Sequence, residues 1–382
     1  MTPAATAPGL ADLRTLEPQA AWRRSDLADG ERWTWTLDDA EVAELDAALH
    51  HARAHADDLL DVTRELFPLP TLAARLSQLE RQLVDGVGVA LIRGLPVHRY
   101  DQADAELIYW GVGLHLGNPW PQNARGHVLG DVTDQGKKPG DPTSRGNEIG
   151  GMAFPYHSDG SDLVGLFCLN AGAGGGASTV ANAVSIHNEL VASEPDLAAA
   201  LYQPLAYDYR GEQGPGQKAF YLVPVFTRWG ERLFVRYIRP YIDAARRHSD
   251  APRPSEQARR AMDRVDELCA DPSFNLFMDF EPGDMQFVNN YHVLHARTAY
   301  RDDPAAGRVR HLKRLWLETS VLADDDKPEQ FRLGRSAQHW WSRAGRTRSE
   351  LRPSGQGDER MGEEGEFPDS LIRSSDETST RS

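Results

Sequence analysis

From residue 87 onward the chain is broken into short apolar runs closed by turn residues, and this punctuation limits the fold more than any other feature. Residues 87–92 form a compact apolar run ended by Arg93-Gly94, and 163–169, 233–238, 275–280 and 285–289 repeat the pattern. Runs of that length between turn residues read as strands. Residues 311–320 add an alternation of apolar and polar side chains, the period of a half-buried strand. Helical patterns come mostly earlier. Residues 38–51 open on acids, and 71–84 and 101–114 repeat apolar residues at three and four; 185–192, 195–201 and 255–269 are helical insertions among the strands. Leading helices followed by many short strands are not an alternation of βαβ units. The pattern predicts a mainly β, α+β architecture: a β-sandwich or jelly roll with flanking helices.

With no repeat and no linker-like boundary, one domain over 26–348 is expected, despite a length of 382 residues. Residues 1–25 read as a flexible arm. Residues 349–382 hold nine acids against four arginines with little to bury, and read as a disordered acidic tail. The whole chain sets 42 basic against 57 acidic residues, a net charge of -15. A field of that sign repels phosphate backbones and anionic lipid, so neither nucleic acid nor membrane is expected as a partner. No run nears the roughly 18 apolar residues of a spanning helix, and the first residues lack a secretory pattern, which makes the cytoplasm the expected compartment. Only Cys168 and Cys269 are present, too few for a disulfide framework or a cysteine-based zinc site. A metal would have to be held by His and carboxylates.

Such a site is written at Tyr156-His157-Ser158-Asp159-Gly160. In extended backbone, residues i and i+2 face the same side, so His157 and Asp159 can offer an imidazole and a carboxylate to one ion. A third ligand is available 135 or 138 residues later, at His292 or His295. Two histidines and one carboxylate with open positions suit non-haem Fe(II) and oxygen chemistry. On the strand that follows, Arg310, Leu312, Arg314 and Trp316 share a face, so two arginines point inward together. A buried arginine requires an anionic partner.

These segments resemble the Fe(II)/2-oxoglutarate-dependent dioxygenases of the TauD/TfdA type. The likeness runs from Gly86 to Leu317. It covers the Gly86-to-Pro96 strand, the His157-Ser158-Asp159 pair, the Gly175-Gly176-Ala177-Ser178 turn, and Asn289-Asn290 through His295 to Arg314. The resemblance implies a double-stranded β-helix in which His157, Asp159 and His295 bind iron. It also implies that Arg310 pairs with the distal carboxylate of 2-oxoglutarate and that the Ser178 hydroxyl assists. His295 is preferred to His292 because Leu294-His295-Ala296-Arg297-Thr298 matches the family's His-Gly-Arg-Thr pattern, with Ala296 replacing Gly. The implied reaction consumes O2 and 2-oxoglutarate, releases succinate and CO2, and hydroxylates an unactivated aliphatic carbon of a small molecule. That molecule would be an amino acid, a carrier-bound amino acid or a natural-product intermediate. Desaturation, epoxidation or ring formation would use the same ligands, and a catalytically dead binding module is the rival from another class. Halogenating relatives replace the carboxylate ligand by Gly or Ala; Asp159 is intact.

Other assignments are looser. Arg314 stands where taurine-oxidising relatives hold the substrate's anion, and reads either as a clamp for a substrate carboxylate or sulfonate or as a partner of Glu318 or Asp284. Arg314 is also a candidate for binding 2-oxoglutarate, second to Arg310, and Arg308 ranks third. Gln122 is a candidate partner for substrate or cosubstrate, and Tyr156, Asn289, Tyr291 and His292 are candidate pocket residues. No histidine matches the one relatives use for taurine's sulfonate, which argues against taurine. The polar, glycine-rich stretch 123–151 reads as a lid, and a homodimer is a family-level expectation.

Overall fold

The structure is a computed structural model and describes residues 13–16, 20–214 and 216–333. The acidic tail expected at 349–382 lies outside the described residues, as do 1–12 and 17–19 of the expected arm. In its first half the chain runs through β1 (Thr34–Thr36), α1 (Asp39–His55), α2 (Leu72–Asp85), β2 (Val89–Arg93), α3 (Gln102–Leu116), β3 (Asn118–Pro119) and β4 (Leu129–Val132). Next come β5 (Phe154–His157), β6 (Leu163–Asn170), β7 (Gly174–Gly175), β8 (Ser178–Asn182), α4 (Ala183–Ser193) and α5 (Pro195–Ala200). Two hairpin pairs follow: β9 (Leu205–Asp208) with β10 (Phe220–Val223), and β11 (Phe226–Trp229) with β12 (Arg232–Val235). The chain continues through α6 (Arg239–Ala245), α7 (Glu256–Ala270), β13 (Asn275–Met278), β14 (Met285–Asn289), β15 (Val293–Arg297), β16 (Tyr300–Arg301) and β17 (His311–Glu318).

Two sheets form the centre. The larger has the order β1-β2-β14-β6-β17-β3, with β4 also on β17; the smaller has the order β13-β8-β15-β5. Sequence neighbours are seldom sheet neighbours, as a jelly roll demands, and apart from β1 on β2 the large-sheet pairs are antiparallel. Val164, Leu312 and Trp316 of the large sheet meet Val180, Met278 and Val293 of the small one in a shared core. The outer face of the large sheet is covered by α1, α2 and α3 through Leu45, Leu76 and Ile108. Helices α4, α5 and α7 pack on the other side through Ile186, Leu197 and Val265. The expected double-stranded β-helix with flanking helices is therefore the architecture. No helix among the described residues is long and apolar enough to cross a membrane.

Local chemistry explains the element ends. Asp38 accepts from the amides of Ala40 and Glu41 while Glu41 reaches back to the Asp38 amide, a capping box that starts α1. Part of the expected arm is anchored: Trp22 is buried and its Nε1 donates to the Val87 carbonyl at 2.7 Å, and Asn188 of α4 brackets the Leu16 backbone. These two apolar side chains account for the difference, since each has surface to bury. The run 233–238 is strand only as far as Val235, where the chain turns towards α6.

Candidate active site

The pairing of β15 with β5 sets His295 directly across from His157, and a register shift follows between His295 and Arg297. The two rings lie 4.1 Å apart between centroids. Beyond His157 the chain leaves the strand, and the turn is pinned from both sides. The Ser158 amide donates to the Tyr237 carbonyl at 2.8 Å, and the Asp159 amide donates to Asn290 Oδ1 at 3.0 Å. Asn290 in turn donates to the Ser161 carbonyl at 3.0 Å. Asp159 thereby comes to face both histidines, with Oδ1 3.9 Å from His157 Nε2 and Oδ2 3.9 Å from His295 Nε2. One ligand atom from each of the three residues lies within 4.8 Å of the others, the arrangement that one metal ion can bridge.

The protonation states favour a cation. Burial pushes both imidazoles down, His295 to about 3 with His157 adding to the effect, so both rings are neutral near pH 7. His157 Nδ1 lies 2.9 Å from the Pro155 carbonyl, which can only accept; the proton sits on Nδ1 and the Nε2 lone pair is free. Burial alone would raise the Asp159 carboxyl, but the Arg314 guanidinium and the Trp316 N–H hold it well below the usual range. Two neutral imidazoles and an ionised carboxylate are the donor set that suits Fe(II).

Arg310 lies on the same cavity wall, immediately before β17. It is 3 % exposed; Nη2 donates to the Gly176 carbonyl at 3.3 Å, and Nη1 is buried with no partner among the described residues. None of the described carboxylates forms an ion pair with it. Burial, and then Arg297, bring its pKa down to about 10. Such a cation calls for an anionic ligand. Ser178 lines the same cavity and donates to Gln286 Oε1 at 3.0 Å. Gly176, at φ +76°, leaves the space the guanidinium occupies: a Cβ there would stand 2.7 Å from Arg310 Nε.

Arg314 is committed elsewhere than the sequence suggested. It pairs with neither Glu318 nor Asp284. Its Nη1 lies 3.3 Å from Asp159 Oδ2 and its Nε donates to Gln122 Oε1 at 2.8 Å. Glu318 stands four residues along the strand, about 13 Å away at 3.3 Å per residue, and Asp284 is taken by Arg93. Gln122 is 1 % exposed and fully engaged, with Nε2 donating to the Arg314 and Val128 carbonyls. It holds Arg314; the lining of the cavity does not include it.

Tyr156, Asn289, Tyr291 and His292 do not line this cavity either. Tyr156 alternates with His157 along β5 and points the other way, towards Thr179 and Asn275. Asn289 ties the end of α2 by donating to the Leu83 carbonyl at 3.0 Å. The Tyr291 hydroxyl donates to Asp162 at 2.5 Å, inside a buried cluster where Lys327 reaches the same carboxylate at 2.6 Å. His292 belongs to the turn before β15, buried beside Asn289, and burial holds it down to about 4. Arg308 is exposed and paired with Asp303.

Several lining residues went unread in the sequence. Arg236, Tyr221, Asp208 and Glu212 come from the hairpin region, and Arg145 from the expected lid stretch. Of these, Arg236 carried a signal: one cation inside the apolar run 233–238. Residues 123–151 contain β4, and Val132, Arg145, Gly146 and Asn147 from this stretch line the cavity; Arg145 pairs with Glu212, and Arg210 donates to the Ser144 carbonyl. The cavity itself measures about 110 Å³.

The sequence profile of the family described as "Taurine catabolism dioxygenase TauD, TfdA family" matches residues 36–316. FR-33289 synthase of Streptomyces rubellomurinus (strain ATCC 31215) is 31% identical over 330 residues, covering 85% of this chain and 95% of that one. The taurine hydroxylase-like protein SAT17 of Stachybotrys chartarum (strain CBS 109288 / IBT 7711) is 28% identical over 324 residues, 81% of this chain and 80% of that one. Among solved structures, asparagine oxygenase in complex with Fe(II), 2S,3S-3-hydroxyasparagine and succinate superposes with a TM-score of 0.58 at 17% identity, over 77% of this chain and 98% of that one. The non-haem iron oxygenase OrfP in complex with Fe and alpha-ketoglutaric acid gives 0.56 at 18% identity, over 76% and 95%. At such identities the structures share the fold.

Proposed function

Since the chain belongs to the TauD/TfdA family and is an Fe(II)/2-oxoglutarate-dependent oxygenase, we propose that His157, Asp159 and His295 hold its iron and that Arg310, with Ser178 beside it, holds the distal carboxylate of 2-oxoglutarate. The observation that carries this reading is the meeting, in one buried cavity, of a His-Asp-His donor set and a buried guanidinium with no carboxylate partner among the described residues. With both groups bound, the site supplies oxidative decarboxylation of the cosubstrate coupled to hydroxylation of an aliphatic C–H bond. The protein's own share is placement and exclusion of water. Arg314, Trp316 and Gln122 orient Asp159, and the Pro155 carbonyl fixes the tautomer of His157.

The substrate is a small molecule of the amino-acid class. Supporting this, asparagine oxygenase is seen with 3-hydroxyasparagine and OrfP with (3S)-hydroxy-L-Arg, and the cavity here is lined by arginines that can meet a carboxylate. The test is anaerobic titration of the apo-protein with Fe(II) and 2-oxoglutarate, following the visible charge-transfer band of the chelate. The band should form in the wild type, vanish in His295→Ala, and require at least tenfold more 2-oxoglutarate in Arg310→Ala. An iron-loaded wild type without a band overturns the assignment.

A further inference from the structure

The family resemblance offers Arg314 as a clamp for a substrate anion, but Arg314 is spent on Asp159 and Gln122. The wall of the cavity holds five arginines (Arg145, Arg236, Arg297, Arg310, Arg314) against three carboxylates (Asp159, Asp208, Glu212). Arg145 pairs with Glu212. Asp208 is closed off by Arg247 at 2.7 Å and His248 at 3.0 Å. Arg297 donates to the Ile149 and Met152 carbonyls, and Arg310 is assigned to the cosubstrate. An iron(II) ion and a doubly charged 2-oxoglutarate cancel, so the positive excess persists in the loaded site.

Two cations are left without a carboxylate partner among the described residues, Arg297 and Arg236; Arg297 is only partly buried, and Arg236 is the buried one. It follows β12, is 6 % exposed, and faces the cavity. Nη1 donates to the Ser158 carbonyl at 3.2 Å and Nη2 to the Tyr221 hydroxyl at 3.1 Å, both neutral acceptors. Nε is buried without a partner, and Asp159 acts on the guanidinium only through space, without an ion pair. A buried charge with no counter-ion is costly, and the cost is recovered when a ligand supplies the opposite charge. Ser158 lies between His157 and Asp159, so an anion on Arg236 is tethered close to the metal ligands.

We propose that Arg236, with Tyr221 beside it, is the anchor for an oxyanion on the substrate: a carboxylate, sulfonate or phosphonate group. This rests on the oxygenase reading above and names the substrate class for that same site. The structural alternative is that Arg236 only props the Ser158 turn.

The test uses the full chain loaded with Fe(II) and 2-oxoglutarate under anaerobic conditions. Calorimetry follows propylphosphonate, butanoate and the neutral butanamide, and the chelate band is read on the same samples. Wild type is expected to bind an anion and not the amide, and the better of the two anions identifies the oxyanion preferred. Arg236→Gln should weaken that binding about tenfold or more, the size of a lost charge-assisted hydrogen bond, with the chelate band unchanged; Arg236→Lys should recover part of it. Binding of butanamide as well as butanoate, or no anion binding, overturns the proposal on the wild type alone, whatever the variants do. So does an Arg236→Gln protein that keeps the anion, or one that loses the chelate band together with it, which marks a prop for the turn. A wild type without a chelate band sinks the oxygenase reading instead, while the anion titration still decides the role of Arg236.

Discussion

Oδ2 of Asp159 receives two donors from one strand, Arg314 Nη1 at 3.3 Å and Trp316 Nε1 at 3.0 Å. Those side chains are two residues apart on β17 and share its inward face, so the strand's pleat alone aims both at the carboxylate. Gln122 then fixes Arg314 from behind. The consequence is a carboxylate oriented and kept ionised before any metal arrives.

Removing that support should weaken the metal site from a distance. Gln122→Ala leaves Arg314 without its Nε acceptor, and loss of such an outer partner typically costs about 10–100-fold in metal affinity. An anaerobic iron titration should show an increase of that size in the Kd for Fe(II), with 2-oxoglutarate affinity little changed once iron is saturating. An unchanged iron Kd would remove Gln122 from the account.

Gly176→Ala should act twice. The φ of +76° disfavours a side chain, and the new Cβ would press on Arg310 Nε from 2.7 Å. A stability loss of about 1–2 kcal/mol is expected from the backbone, read by urea unfolding. A rise in the KM for 2-oxoglutarate should accompany it, because the atom displaced belongs to the guanidinium.

Tyr291→Phe separates pocket from scaffold. The hydroxyl serves the buried Asp162 and Lys327 pair, so the variant should lose about 1–3 kcal/mol of stability through an unsatisfied buried carboxylate. The KM values for substrate and cosubstrate should stay within about twofold, since the ring does not line the cavity. A selective rise in substrate KM would return Tyr291 to the pocket.

Acid should destabilise the iron-free protein through buried histidines. Burial holds His187 and His292 down to about 4 each, below the ordinary value of about 6.5. The unfolded chain therefore takes up protons first as pH falls. The stability from keeping these rings neutral is whole above about pH 6.5, shrinks below it, and is gone near the folded value; at pH 5 each ring costs about 2 kcal/mol. Urea unfolding at pH 7.5 and pH 5 should show the loss, and His292→Gln should flatten the slope. A slope untouched by that substitution would clear His292.

Much of this was legible in one dimension because the underlying periods are local. The alternation along 311–318 put Arg310, Leu312, Arg314 and Trp316 on one face, and all four do line the cavity. The helices at 71–84 and 255–269 were readable to within a residue or two for the same reason. The hairpins β9 to β12 were harder, since their runs are short and carry Arg, Asp and Tyr, and the cavity wall they build contributes Asp208, Tyr221 and Arg236.

By itself, the sequence determined the class of fold and the residue types offered to a metal and to an anion, because turn chemistry, strand parity and the His157-Ser158-Asp159 spacing act over a few residues. Only the tertiary structure decided which cation is already neutralised and which is free. Arg314, Arg310 and Arg236 are alike as letters; they differ by whether a carboxylate more than a hundred residues away, or none, is folded against the guanidinium. Electrostatic balance in a buried cavity is a sum over everything the fold brings within a few ångströms, and no local pattern contains that sum.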